Sequence, residues 1–240
     1  MKKLFLLPAV ALFGLVGCGQ KPAAPAEEVV IPTVTDSAIK TAYDAGCAIT
    51  SGETAAQTFS GVVVATSGNS FFLQDGYCGM YVYNKAVANI AVGKMVSVVS
   101  TIQNYNGLIE TKTITSATLG EDGTLPTSVK VLTLDQLGQL KQSILVHAEL
   151  EFVSKNKEWN SSNSVQVTAK LRKDGQTTEE SIVVSYNKFS FTAAQGAIVN
   201  ALNAGDKFTV AGCVTTAYNA DQAGKSNQLY FGSTSTTTKL

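Results

Sequence analysis

From residue 36 onward the chain is written in short apolar runs cut by Gly, Asn and Asp, the grammar of β-hairpins. The exception comes first: residues 36–45 predict a short helix, capped by Asp36 or Ser37 and stopped at Gly46. Residues 59–66 (FSGVVVAT) then predict a strand, Gly68-Asn69 a turn, residues 70–74 (SFFLQ) a second strand, Asp75-Gly76 a turn, and residues 78–83 (CGMYVY) a third strand. Gly93 precedes a fourth over 95–103, and 108–112 follow an Asn-Gly turn as a fifth. Alternation places Val62 and Val64 on one face. It puts Met80 with Val82, and Val96 with Val98, on inner faces, and turns Tyr81 and Tyr83 the other way.

After a turn-rich joint with a short helix over 134–141, the pattern resumes. Val146, Ala148, Leu150 and Phe152 alternate with His147, Glu149 and Glu151. Val165, Val167, Ala169 and Leu171 alternate with Gln166, Thr168, Lys170 and Arg172. Ile182, Val184 and Tyr186 follow, then a helix over 191–203 and strands over 208–214 and 227–231. The two blocks read as divergent copies. Tyr83-Asn84-Lys85 answers Tyr186-Asn187-Lys188, and Gly93 answers Gly205, the second block carrying an added helix between them. Five strands per block, with a helix or loop between the third and fourth, give an all-β fold with short helices: tandem five-stranded OB-like Greek-key barrels. The expected layout is a first barrel with its N-terminal helix over 35–118, a linker over 119–143, a second barrel over 144–232 and a frayed polar tail over 233–240.

The N-terminus has its own logic. Lys2 and Lys3 precede an apolar run over 4–16, too short to span a bilayer and shaped as a secretory signal. Leu15-Val16-Gly17-Cys18 resembles the lipobox of bacterial lipoproteins, which implies removal of 1–17 and lipidation of Cys18 with diacylglyceryl and palmitoyl chains. Residues 18–34, with three prolines, read as a lipidated tether. The implied address is extracytoplasmic, at the cell membrane through Cys18, or at the outer membrane if the organism has one, since Gly19 rather than Asp follows the cysteine.

The first block also resembles the OB-type domains of secreted and surface bacterial proteins, some of which accompany extracellular nucleases. The resemblance rests on Gly61-Val62, residues 71–75 (FFLQD), Tyr81 and Tyr83, Gly93 to Val96, and Asn106-Gly107; it covers 57–137. It departs at Ser100, where such domains often carry a glycine, which Gly212 supplies in the second block.

Charge narrows the function. The chain has 18 Lys+Arg against 18 Asp+Glu, and one Arg; without Lys2 and Lys3, 16 positive charges face 18 negative. That excludes a broadly basic nucleic-acid surface. One His (His147) and no CxxC argue against a metal centre, and no nucleophile–base–acid pattern marks an enzyme. No cofactor or metal is expected. Cys47 and Cys78 can pair as a disulfide, leaving Cys213 as a buried thiol. Candidate ligand-binding residues are Phe72, Tyr81 and Tyr83, which can stack on bases or sugars, and Lys170 and Arg172, which can reach a phosphate. The near-neutral balance favours a noncatalytic envelope module that binds or scaffolds a protein or glycan. The alternatives are an extracytoplasmic single-stranded nucleic-acid binder, not favoured, and an unrecognised hydrolase. The nucleic-acid alternative calls for Lys85, Lys94 and Lys112, or Lys170 and Arg172, on one face.

Overall fold

The computed structural model describes residue 33 and residues 36–160, 162–189, 192–220 and 222–240. The signal, Cys18 and the tether lie outside the described residues.

Helix α1 (Ala38–Ala48) begins at Ser37, whose hydroxyl accepts from the Lys40 amide. Its buried positions, Ile39, Ala42, Tyr43 and Gly46, recur at the spacing of a single helical stripe. The helix does not stop at Gly46 as its sequence suggests. That glycine is a contact point: a Cβ there would come 2.6 Å from Ile109 Cγ2 and 2.7 Å from Ile102 Cγ2.

Strands β1 (Gln57–Ser67), β2 (Ser70–Asp75), β3 (Cys78–Val82), β4 (Lys94–Tyr105) and β5 (Leu108–Asp122) close a barrel in the order β1-β2-β3-β5-β4. The β3–β5 contact is parallel and the rest antiparallel. Phe59, Val63, Phe71, Leu73, Met80, Val82, Val96 and Val98 fill it, with Ile39, Ala42 and Tyr43 of α1. Strand β5 runs ten residues past its sequence-predicted end, because it follows β4 through three register shifts.

Strand β6 (Val129–Val131) and helix α2 (Leu134–Gln139) occupy the joint. Strands β7 (Leu145–Lys155), β8 (Val165–Lys173), β9 (Gln176–Tyr186), β10 (Lys207–Thr216) and β11 (Gln228–Phe231) repeat the first topology. Their order is β7-β8-β9-β11-β10, with β10 closing on β7 and a parallel β9–β11 contact. Helix α3 (Ala193–Asn200) lies between β9 and β10. The fold is therefore two tandem five-stranded OB-like barrels with short helices. The tail expected to fray instead forms strand β12 (Thr236–Lys239), antiparallel to β10, where Thr237 is buried. Its residues gave no apolar signal because backbone pairing with β10 and the hydrogen-bonded burial of one threonine, not apolar packing, place it there.

The repeat glycines do the same job in both copies. Gly93 and Gly205 take φ of 93° and 90°, and their amides donate to Val63 O and Phe152 O, each at 2.9 Å. In β10 the chain bulges at Gly212 (φ 69°), which turns Cys213 into the core and Val214 out of it. At the matching place in β4, Ser100 is buried and its hydroxyl donates to the Thr101 and Thr113 carbonyls.

The barrels are locked together. Val64, Ala65, Phe72 and Val214 form a separate apolar cluster between them, joined by Tyr81, Leu145 and Tyr230. Two fully buried glutamines cross the boundary: Gln74 Oε1 accepts from the Leu145 amide, and Gln142 Oε1 accepts from the Ile109 amide, both at 2.8 Å. Gln142 Nε2 donates to Gly107 O, and the Tyr43 hydroxyl donates to Gly224 O. Buried amides paired in this way fix one arrangement, because slippage would leave several polar groups without partners.

Candidate functional site

A groove runs along the boundary. Its inner part is a cavity of about 220 Å³ between the outer face of β2–β3 and the outer faces of β8, β9 and β11. Phe72 and Tyr81 come from one barrel, Gln166, Ser185, Thr216, Gln228 and Tyr230 from the other. Tyr81 and Asn187 also line a neighbouring hollow of about 450 Å³, with Tyr83, Asn84 and Phe189. Among the described residues no Asp, Glu, Lys, Arg, His or Cys lines either part.

Rings are arranged in sequence along the floor. Phe72 stacks on Tyr81 with centroids 4.5 Å apart, and lies 5.2 Å from Tyr230; Tyr81 lies 6.1 Å from Tyr83. Tyr230 and Ser67 share a hydrogen bond of 2.8 Å across the boundary. Burial pushes the Tyr81 phenol well above its ordinary value, so it remains neutral. The rim is aromatic as well. Tyr83, Tyr105, Phe189 and Tyr218 are exposed by 53, 57, 66 and 58%, and they are all of the exposed aromatic side chains among the described residues. All four line this groove. Exposed aromatics collected in one place mark a binding surface more strongly than the same number scattered.

The sequence-predicted residues divide. Phe72, Tyr81 and Tyr83 are brought together, though Phe72 is buried as the keystone between barrels and only Tyr83 is openly exposed. Lys170 and Arg172 are elsewhere. Lys170 pairs with Glu179 at 2.8 Å; Arg172 is buried, donates to Gly175 O and faces Glu149 at 3.7 Å. Lys94 pairs with Asp122, so neither expected basic set assembles. Lys188 flanks the groove beside Phe189, directly after Asn187; Lys85 follows Asn84, a lining residue, at the corresponding place in the other Tyr-Asn-Lys triplet. Lys188 Nζ lies 4.9 Å from the Phe189 ring centroid.

Cys47, Cys78 and Cys213 are free thiols, so the Cys47–Cys78 disulfide is not formed in this structure. Burial pushes the Cys78 and Cys213 thiols up to about 12, which leaves little thiolate at neutral pH. His147 shares a hydrogen bond with Ser128. The acids beside it are engaged elsewhere, Glu149 by Lys130 and Arg172 and Glu151 by Thr177. Among the described residues no cluster of three or more His, Cys, Asp or Glu is arranged for a metal.

Sequence reasoning missed Tyr105, Phe189 and Tyr218. Their signal was position: large aromatics beside Asn-rich turns, outside any alternating run that would bury them.

No protein-family model and no curated protein matches the chain. Among solved structures, it is similar to fission yeast Pot1 with ssDNA at 10% identity and a TM-score of 0.35, over 84% of this chain and 93% of that one. It is also similar to the Ifi202 HINa domain in complex with 20bp dsDNA, at 16% identity and a TM-score of 0.32, over 78% and 98%. A third is p202 HIN1 in complex with 12-mer dsDNA, at 15% identity and a TM-score of 0.32, over 80% and 98%. The comparisons correct the sequence reading. The three structures named are solved with DNA and none is a surface lipoprotein or a nuclease-associated OB domain, so the comparisons give no support to lipoprotein or envelope terms. The favoured protein- or glycan-binding scaffold, and the ranking of nucleic acid as a disfavoured partner, are corrected with them. At such scores the likeness carries no argument of its own about what this chain binds, which rests on its residues.

Proposed function

We propose that the groove between the barrels binds single-stranded nucleic acid. The observation that carries this reading is the collection of every exposed aromatic side chain of the described residues along one groove whose described lining is uncharged and rich in amides and hydroxyls. Bases present flat faces to Tyr83, Tyr105, Phe189 and Tyr218, and polar edges to Asn84, Asn187, Gln166 and Gln228. Phosphates remain outside, where Lys85 and Lys188 stand. Stacking contributes about 1–3 kcal/mol per base. Affinity therefore comes from rings more than from charge, which reconciles a near-neutral protein with a polyanion.

The test is fluorescence anisotropy of a labelled single-stranded oligonucleotide with the purified protein across a salt series. Two phosphate contacts imply a log–log salt slope of about −1.4, much shallower than for a basic groove. Tyr83→Ala and Tyr105→Ala should each weaken binding by about 1–3 kcal/mol. Absence of binding at about 50 mM salt, where phosphate contacts are strongest, would overturn the reading.

We propose, separately, an extracytoplasmic location with an anchor at Cys18. Its support is the pattern of Lys2, Lys3, the apolar run and Cys18 alone. Palmitate labelling that persists in Cys18→Ala would refute it.

A further inference from the structure

The wall of the inner cavity contains an unpartnered group. Thr216 is 3% exposed, and its hydroxyl has no hydrogen-bond partner among the described residues, yet the residue lines the cavity. Buried hydroxyls are rarely left so, because an unmade hydrogen bond costs more than a made one gains. Gln228, directly across the β10–β11 pair from Thr216, and Gln166, across from Ser185, line the same cavity. Phe72, Tyr81 and Tyr230 form apolar walls, and the exposed Tyr105 and Tyr218 stand at the mouth. Flat apolar walls, a rim of donors and acceptors and no charge among the described lining residues fit an uncharged ring with a polar edge. The size agrees: about 220 Å³ lies below the roughly 300–1,000 Å³ of drug-sized pockets.

We infer that this cavity takes one base of the bound strand, inserted between the barrels, with the amides of Gln166 and Gln228 reading its edge and the Thr216 hydroxyl, shielded in the free protein, turning about its Cα–Cβ bond to meet it. The inference rests on the proposed function and deepens it. The outer groove, where Tyr83 and Phe189 offer mainly ring faces, holds neighbouring bases without selecting among them. The protein then has sequence preference at one position on a strand that it otherwise binds indifferently.

The experiment compares oligonucleotides that differ at a single position in a uniform background, with wild type, Thr216→Val, Thr216→Ser and Tyr83→Ala. Wild type should prefer one base at one position. Thr216→Val keeps the side-chain shape and removes the hydroxyl. It should weaken the preferred strand by about 3- to 10-fold, flatten the preference, and leave the melting temperature equal or higher. Thr216→Ser keeps the hydroxyl and should keep the preference. Tyr83→Ala should weaken all strands alike. Equal binding of every strand by wild type, or an unchanged preference in Thr216→Val, would overturn this inference and leave the proposed function standing. Failure to bind any strand would overturn both.

Discussion

The two barrels share a topology and differ in what they do with the same three letters. Tyr83-Asn84-Lys85 and Tyr186-Asn187-Lys188 look equivalent in sequence, but they are one pleat out of step. In the first barrel the inward pair is Phe71 with Val82; in the second it is Val165 with Tyr186. Tyr186 therefore takes the place of Val82, not of Tyr83. It is fully buried, 4.7 Å from the Phe231 ring, and shares a hydrogen bond with Thr237 of β12. Tyr83 faces out, and its counterpart in the groove is Asn187. A slip of one residue exchanges core for surface along a strand. Duplication followed by such a slip gives one barrel an exposed ring and the other an amide at corresponding places.

The sharpest way to break this comparison is to remove both tyrosines in turn. Tyr186→Ala should cost about 3–5 kcal/mol in urea unfolding, as for other large buried rings. Tyr83→Ala should stay within about 0.5 kcal/mol while losing binding. Equal stability losses would mean that the triplets are equivalent after all.

Next in size is the joint between the barrels. Gln142→Leu keeps the bulk and removes the Ile109 amide's acceptor and one of the two donors to the Gly107 carbonyl, which keeps the Gly224 amide, for an expected loss of about 2–3 kcal/mol. The unfolding transition should remain single for wild type, and separation into two steps in the variant would show that this residue couples the barrels.

The helices offer a finer contrast. A Cβ on Gly196 of α3 would lie 2.0 Å from the Trp159 ring, whereas one on Gly46 of α1 meets isoleucine methyl groups at 2.6 Å or more. A rigid ring yields less than a methyl group. Gly196→Ala should cost near the top, and Gly46→Ala near the bottom, of the roughly 1–3 kcal/mol expected for overpacking, read by thermal melts.

The smallest effect is electrostatic. Glu110 is buried beside Tyr81, accepts from Gln103 Nε2, and burial raises its carboxyl above its ordinary value. The folded form thus keeps its proton to higher pH than the unfolded chain. Stability from this group is full below the ordinary carboxylate range and declines as pH rises through the raised value. Glu110→Gln should be more stable than wild type near pH 7, with the gap closing toward pH 4, as read by urea unfolding at both pH values.

The fold was largely legible because its information is local. Alternation in 146–152, 165–171 and 182–186 names residues that do form the second core, and Met80, Val82, Val96 and Val98 are in the first. Glycine before the fourth strand was legible for the same reason, since a positive φ leaves a mark on residue type. Less could be read where pairing alone decides, as in β12 and the extension of β5. The site was half legible. Tyr81 and Tyr83 follow from the pleat, but Thr216, Gln228 and Tyr218 belong to it only because the second barrel docks on the first. The buried contacts that set that docking, such as Gln142 with Ile109, have no period to reveal them.

The hydrogen bond from Tyr43 to Gly224 joins residues 181 positions apart. A chain made from its N-terminus at about 5–20 residues per second delivers the tyrosine roughly 10 to 40 s before its acceptor. Through that interval α1 and the first barrel exist without the loop that seals them. The end of the polypeptide finishes what its beginning starts: the last stretch to be made supplies the acceptor that closes the first helix onto the molecule.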